Sequence, residues 1–143
     1  MKNLLFGFVV LVSAGLCLVS CSDDDVDLAL CHEWHMIGYG NDQDFHVGDG
    51  RHDRINARVT FHSDGTYDSY VEPNKGWGDY KCKNNQILFV DHCSYKGASD
   101  NPIYGFIDDY LFKKTYRAYR FVSDMELRIY YEGDQYFKFY RKD

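Results

Sequence analysis

The sequence predicts a mainly β protein, a small antiparallel up-and-down barrel of about seven or eight strands with one short helix near residues 102–113. Three observations carry that expectation. The 143 residues include 13 Tyr, 10 Phe and 2 Trp, and aromatic side chains favour the pleated, half-buried surface of a sheet. From Ile55 to His62 apolar and polar residues alternate without a break, the period-two pattern of a strand with one buried face. Turn sequences such as Ser63-Asp64-Gly65, Asn84-Asn85 and Glu132-Gly133-Asp134 separate short apolar runs. Closing such strands into a barrel removes the open edges that invite aggregation.

Length and charge narrow the class further. One ordinary domain fits this chain. With 22 Asp+Glu against 16 Lys+Arg, a net charge of −6 and no cationic run, it lacks the surface that neutralises nucleic-acid phosphates. The aromatic content also argues against disorder.

The elements follow in chain order. Residues 1–20 read as a signal peptide: Lys2 gives a short positive start, and Leu4 to Val19 is apolar but too short and weakly flanked for a spanning helix. It ends in Leu18-Val19-Ser20-Cys21, which resembles the lipobox of bacterial lipoproteins. That resemblance implies acylation of Cys21 and cleavage before it; an ordinary secretory signal with a chance Cys is the alternative. Residues 21–30 then form a lipidated acidic tether. Its Ser22-Asp23-Asp24-Asp25 resembles the surface-export signal of lipoproteins from Bacteroidetes-type bacteria, and a plain solvated spacer is the other reading. The expected location is the outer membrane, displayed on the cell surface or facing the periplasm, held by acyl chains.

Residues 31–143 are left to form the barrel domain. A first strand is expected from Trp34 to Tyr39, a second through Ile55–His62, and its hairpin partner at Thr66–Val71. Glu72 to Gly76 reads as a loop. A strand from about Trp77 to Lys83 turns at Asn84-Asn85 into Gln86–Asp91. Ile103, Phe106, Ile107, Tyr110 and Leu111 then fall at helical spacing behind Asn101 as N-cap and Pro102 at the first helical position. The helix is expected to run from Pro102 to about Lys113, lidding the core, with Asp108 and Asp109 facing solvent. Tyr116–Val122, Glu126–Tyr131 and Gln135–Arg141 are the closing strands.

Val59-Thr60-Phe61-His62-Ser63-Asp64-Gly65-Thr66-Tyr67, then Asn74-Lys75-Gly76-Trp77-Gly78-Asp79-Tyr80, then Asn85-Gln86-Ile87-Leu88-Phe89 resemble the META domain. Trp34 near the start, the helix before the last strands and the Leu127-Arg128-Ile129-Tyr130 strand extend the likeness over most of Glu33–Arg141. The lipocalin-like domains of bacterial lipoproteins share the same look, here ending in Phe139-Tyr140-Arg141. Both resemblances imply a small β-barrel and neither implies a defined catalytic activity. The Gly-Cys that often precedes the Asn in META domains is replaced by Glu72-Pro73, so no disulfide is inferred there.

Few residues point to chemistry. Cys17 leaves with the signal and Cys21 is the anchor, leaving Cys31, Cys82 and Cys93. A two-residue turn sets Cys82 opposite Ile87 and Cys93 roughly 20 Å further along, beyond the about 7 Å that a bridge spans unless the chain folds back after Asp91. Cys31 and Cys82 share one end of an up-and-down barrel and make the better pair; three free thiols are the alternative. No C-x-x-C exists for zinc. His32-Glu33-Trp34-His35 has the wrong spacing for a zinc-protease helix. The Asn41–Asp53 loop, with Asp42, Asp44, His46, Asp49, His52 and Asp53, misses the calcium-loop pattern and reads as a solvated polar loop. No metal or cofactor is expected.

Ser63, Ser69 and Ser94 lack a nucleophile-elbow setting. No Asp or Glu stands in a recognisable acid/base context, although a carboxylate pair depends on the fold. Trp77, between Gly76 and Gly78, is a candidate stacking platform beside Tyr70 or Tyr95; the alternative is an aromatic covering a Gly-rich wall strand. The chain therefore reads as a non-catalytic, membrane-anchored binding or envelope-support protein whose partner is a protein, a glycan or a small molecule. A hollow carrier and, less favoured, a small glycan-acting enzyme are the other readings.

Overall fold

The fold is that of a computed structural model describing residues 26–47, 55–95, 97 and 101–143. The signal segment, Cys21 and the acidic run up to Asp25 lie outside the described residues, as do Asp49, His52 and Asp53 of the polar loop. Ten strands and one helix are described: β1 (Glu33–Gly40), β2 (Phe45–Val47), β3 (Ala57–Phe61), β4 (Thr66–Val71), β5 (Asn74–Lys83), β6 (Gln86–Phe89), β7 (Cys93–Tyr95), α1 (Pro102–Leu111), β8 (Arg117–Ser123), β9 (Glu126–Glu132) and β10 (Gln135–Lys142).

Eight of these close an antiparallel barrel in the order β1-β3-β4-β5-β6-β8-β9-β10, with β10 returning to β1. Each barrel strand pairs with the next barrel strand along the chain, so the topology is an up-and-down meander. Two short strands extend it. β2 takes up the edge of β1 beyond β3, at Gly38–Gly40. β7 takes up the edge of β5 at Lys75–Trp77, while β6 holds Tyr80–Lys83.

Local chemistry sets the turns. Asn84 and Asn85 adopt φ of 51° and 57°, the left-handed region that short amide side chains tolerate, and Cys82 indeed pairs with Ile87. Asp64 holds the β3–β4 turn by accepting from Thr66 N at 3.0 Å and Thr66 Oγ1 at 2.6 Å. The Glu72–Gly76 loop expected from the sequence is much shorter: a cis Glu72-Pro73 peptide makes the turn and Asn74 already pairs with Val71. The polar loop contains β2, whose Phe45 ring lies 5.8 Å from Tyr136.

The inward faces build one core. Trp34, Val59, Phe61, Tyr67, Ile87, Phe89, Leu127, Ile129, Phe137 and Phe139 are all essentially inaccessible. Asn101 caps α1 by accepting from Ile103 N at 3.1 Å, and the helix ends at Leu111, two residues earlier than expected. It inserts Tyr104, Ile107 and Leu111 into the core, followed by Phe112, whose ring stacks on Tyr67 at 5.7 Å. Packing also reaches into the segment assigned to the tether. Leu28–Leu30 form a 3₁₀ turn, Leu30 is fully buried, and its carbonyl accepts from Trp34 Nε1 at 2.8 Å.

Asp108 departs from its expected solvent exposure. Its side chain is 13 % exposed and faces His92 at 3.3 Å. Helical spacing alone could not show this, because the partner arrives from the chain crossing between β6 and β7.

Candidate functional site

Strand parity sends Lys75, Trp77 and Asp79 of β5 outward and Gly76 and Gly78 inward. The two glycines are needed on the inside. A Cβ on Gly76 would strike the His92 ring, and one on Gly78 would strike the Asp91 carbonyl. The Gly-Trp-Gly sequence therefore lets the β6–β7 crossing tuck beneath β5 while Trp77 stands outside, 51 % exposed.

Register assembles the rest of the face. Cross-strand partners share a side of the sheet, so one row runs His35, Arg58, Tyr70, Lys75, Tyr95 across β1, β3, β4, β5 and β7. The adjacent row runs Glu33, Thr60, Asp68, Trp77, Cys93. Trp77, Tyr70 and Tyr95, the residues the sequence proposes for binding, thus share one outer face. Tyr70 and Trp77 border an open groove of about 370 Å³ over β1 and β3–β5, and Tyr95, 74 % exposed, lies beyond its β5 wall. Trp77, about half exposed on the outer wall of a Gly-rich strand, stands where both of its readings, stacking platform and aromatic covering that strand, place it.

The groove carries both charge signs. His35 Nε2 meets Glu33 Oε1 at 2.5 Å, and Lys142 Nζ lies 3.8 Å from the same oxygen. The hydrogen bond from His35, ahead of the nearby cations, holds the Glu33 carboxyl below its ordinary value. Asp68 is engaged by His62 at 2.9 Å. Arg58 lies over the Tyr70 ring at 5.0 Å. Among the described residues neither Arg58 nor Lys75 has a carboxylate within ion-pair distance.

Glu33 and Asp68 bring two carboxylates to one cleft, the minimum a glycan hydrolase needs. A general acid at neutral pH needs a raised pKa, whereas the hydrogen bond from His35 holds the Glu33 carboxyl down.

Two further clusters lie elsewhere. At one end of the barrel Tyr119 Oη donates to Asp27 Oδ2 at 2.6 Å, and Cys31 Sγ lies 3.7 Å from Tyr80 Oη. The Cys82 thiol belongs to the same cluster and is pushed up by burial. Cys31 and Cys82 both belong to this cluster, and in this structure they and Cys93 are free thiols, the alternative to a Cys31–Cys82 bridge. The second cluster is the His92 clasp. Its ring stacks on Phe112 at 4.1 Å, and Nδ1 lies 2.8 Å from Tyr67 Oη, which donates its own proton to the Asp91 carbonyl. Nε2 faces Asp108 at ion-pair distance without the alignment of a hydrogen bond. Burial pushes the Tyr67 hydroxyl far up, which suits a structural donor rather than a nucleophile. Among the described residues no group of three or more His, Cys, Asp or Glu could hold a metal ion.

The sequence pointed to the three aromatics of the face through the Gly-Trp-Gly pattern. Arg58, Lys75, Glu33 and Asp68 were not singled out, although outward parity in the alternating β3 strand marks Arg58 and Thr60 as neighbours of the same surface.

No protein-family profile matches the chain, and no curated protein does either. Solved structures do match in shape. A protein from Burkholderia xenovorans determined by NMR superposes with a TM-score of 0.62 at 14 % identity, covering 80 % of this chain and 84 % of its own. A duf4847 family protein from Bacteroides vulgatus superposes at 0.56 and 14 % identity, over 81 % of this chain and 97 % of its own. An uncharacterized protein from Bacteroides eggerthii gives 0.51 at 14 % identity, over 79 % and 99 %. At such identities the likeness concerns the fold: a mainly β, eight-stranded closed antiparallel barrel with a single helix.

Proposed function

We propose that this chain is a membrane-anchored lipoprotein whose barrel is a non-catalytic binding module, with the outer face of β3, β4, β5 and β7 as its contact surface. The observation that carries the reading is the shared outward register of Tyr70, Trp77 and Tyr95 beside the groove. Exposed aromatics with a polar surround are the usual makings of a recognition surface. The hollow-carrier alternative is the less favoured reading, because among the described residues Phe61, Tyr67, Phe89, Ile107, Leu111 and Phe112 are buried together in one core cluster. The META and lipocalin-like resemblances imply a small barrel and no defined catalytic activity, which accords with this reading.

The anchor rests on the Cys21 motif. A Cys21→Ala variant should leave the membrane fraction, and retention there would refute lipidation. Cys93, exposed and paired across from Trp77, serves as a native reporter of the face. A membrane-impermeant maleimide should label it on intact cells if the domain is displayed outside, and only after outer-membrane permeabilisation if it faces the periplasm. Envelope fragments should slow that labelling, and Trp77→Ala should remove the protection. Unchanged labelling with and without fragments would overturn the assigned contact face.

A further inference from the structure

The groove has a chemical bias that goes beyond being a contact surface. Its two carboxylates are already engaged, Glu33 by His35 and Lys142 and Asp68 by His62. Its two cations without a carboxylate at ion-pair distance among the described residues, Arg58 and Lys75, flank Tyr70 in register, one on each neighbouring strand, with Arg58 lying over the Tyr70 ring. Their Cα atoms are therefore roughly 10 Å apart, and both side chains are long enough to converge above that ring. On a chain of net charge −6, such a pair marks a local preference for an anionic group. A planar guanidinium matches a single carboxylate in bidentate fashion.

The remaining ligand chemistry follows from where the groove lies. It sits over the middle of the sheet, where the ladders of β3, β4 and β5 are already filled on both sides. An extended peptide lying in the groove would find no free main-chain edge on these strands to extend; β7, which pairs with β5 alone among the described residues, lies beyond it. Recognition must instead come from side chains: the exposed rings of Trp77 and Tyr95, diagonal neighbours roughly 7–8 Å apart, and the donors and acceptors Thr60, Asp68 and Tyr70. Sugar rings meet those demands, with C–H faces for stacking and hydroxyls around the edge.

We propose that the groove binds a carboxylate-bearing oligosaccharide, its sugar rings stacked on Trp77 and Tyr95 and a uronate carboxylate held between Arg58 and Lys75. The inference rests on the outer-face reading above and adds the ligand class to it.

Tryptophan fluorescence of the full-length lipoprotein in detergent tests this directly. Trp34 is fully buried, so a ligand-induced change reports Trp77. The probes are an oligogalacturonate, its carboxyl-reduced neutral counterpart and an oligoglutamate of matched charge. The oligogalacturonate should give a saturable change, weakened by salt, and bind at least about tenfold more tightly than either other probe. Arg58→Ala and Lys75→Ala should each weaken it about tenfold, and Trp77→Ala, followed by calorimetry, should abolish binding. Tyr116→Ala, exposed and on no part of this face, is the control that should leave binding unchanged. Circular dichroism verifies that each variant is folded, and Lys75→Ala carries the charge test if Arg58→Ala is not.

Equal affinity for the neutral oligosaccharide, lost in Trp77→Ala, would overturn the carboxylate assignment and leave the contact face standing. Equal affinity for oligoglutamate would show charge attraction alone and overturn the sugar assignment. Absence of saturable binding by either oligosaccharide would overturn the inference outright, with the Cys93 protection experiment deciding separately whether the face is used.

Discussion

The same strands, β3 to β5, carry aromatic rings on both faces, and the two faces treat them differently. Inside, Phe61 has the rings of Tyr67, Tyr80 and Phe89 at 4.9–6.4 Å, and Phe89 meets Phe112 at 5.1 Å. Their hydroxyls are also engaged: Tyr80 Oη donates to the His62 carbonyl and Tyr67 Oη to that of Asp91, each at 2.9 Å. Outside, Trp77 and Tyr95 have no ring partner among the described residues. The inner rings hold the barrel together, while the outer ones contribute little to it and are free to meet something else. An aromatic excess in a composition therefore combines two unrelated demands.

The comparison can be broken first from the inside. Phe89→Ala removes a fully buried ring from the centre of the cluster and should destabilise the fold by about 3–5 kcal/mol, read from urea unfolding. A loss below about 1 kcal/mol would mean that the interior is not the close-packed assembly described here.

His92→Ala comes next. It takes away the stack on Phe112 and one hydrogen-bond partner of Tyr67, yet Tyr67 keeps the Asp91 carbonyl. A cost of about 2 kcal/mol is expected. A neutral result would show that the β6–β7 crossing is held by the glycines beneath it rather than by the clasp.

Acid sharpens the picture at the surface. The Glu33, Asp42 and Asp64 carboxyls are all held below their ordinary values, chiefly by hydrogen bonds from His35, Tyr136 and Thr66 respectively. The unfolded chain therefore takes up protons at higher pH than the folded one. These groups contribute stability above the ordinary values of 4.5 for Glu and 3.8 for Asp, and it fades as pH falls through the lowered folded ones. The melting midpoint should drop across that window, and a flat profile would refute the shifts.

The smallest expected effect is the most telling. Trp77→Ala should change unfolding free energy by less than about 0.5 kcal/mol while abolishing protection of Cys93. A large loss of stability would place Trp77 among the structural rings and erase the contrast between the faces.

Strong local patterns made much of this fold legible. Alternation in Ile55–His62 fixed both the strand and its inward residues, and the Asn84-Asn85 turn fixed the Cys82–Ile87 pairing. The three-residue strands β2 and β7 left no such trace, because that length carries too few alternations to register. Asp108 was misplaced for a different reason: its surroundings depend on His92, which the sequence leaves 16 positions away. The aromatic part of the candidate face could be read from Gly76-Trp77-Gly78. Its cations could not, since Arg58 and Lys75 meet only through a register three strands wide.

The closing pair of strands has a consequence for how the molecule comes into being. β1 and β10 run side by side from Glu33–Lys142 to Gly40–Tyr136, so the first and final strands of the meander form one seam. Until the chain has emerged through Lys142, β1 and β9 present unsatisfied hydrogen-bonding edges, and ring closure joins segments about a hundred positions apart, a slow step by its topology. Deleting β10 would leave two matched open edges on every molecule. Such a truncation should turn an intramolecular seam into a site for strand exchange between copies.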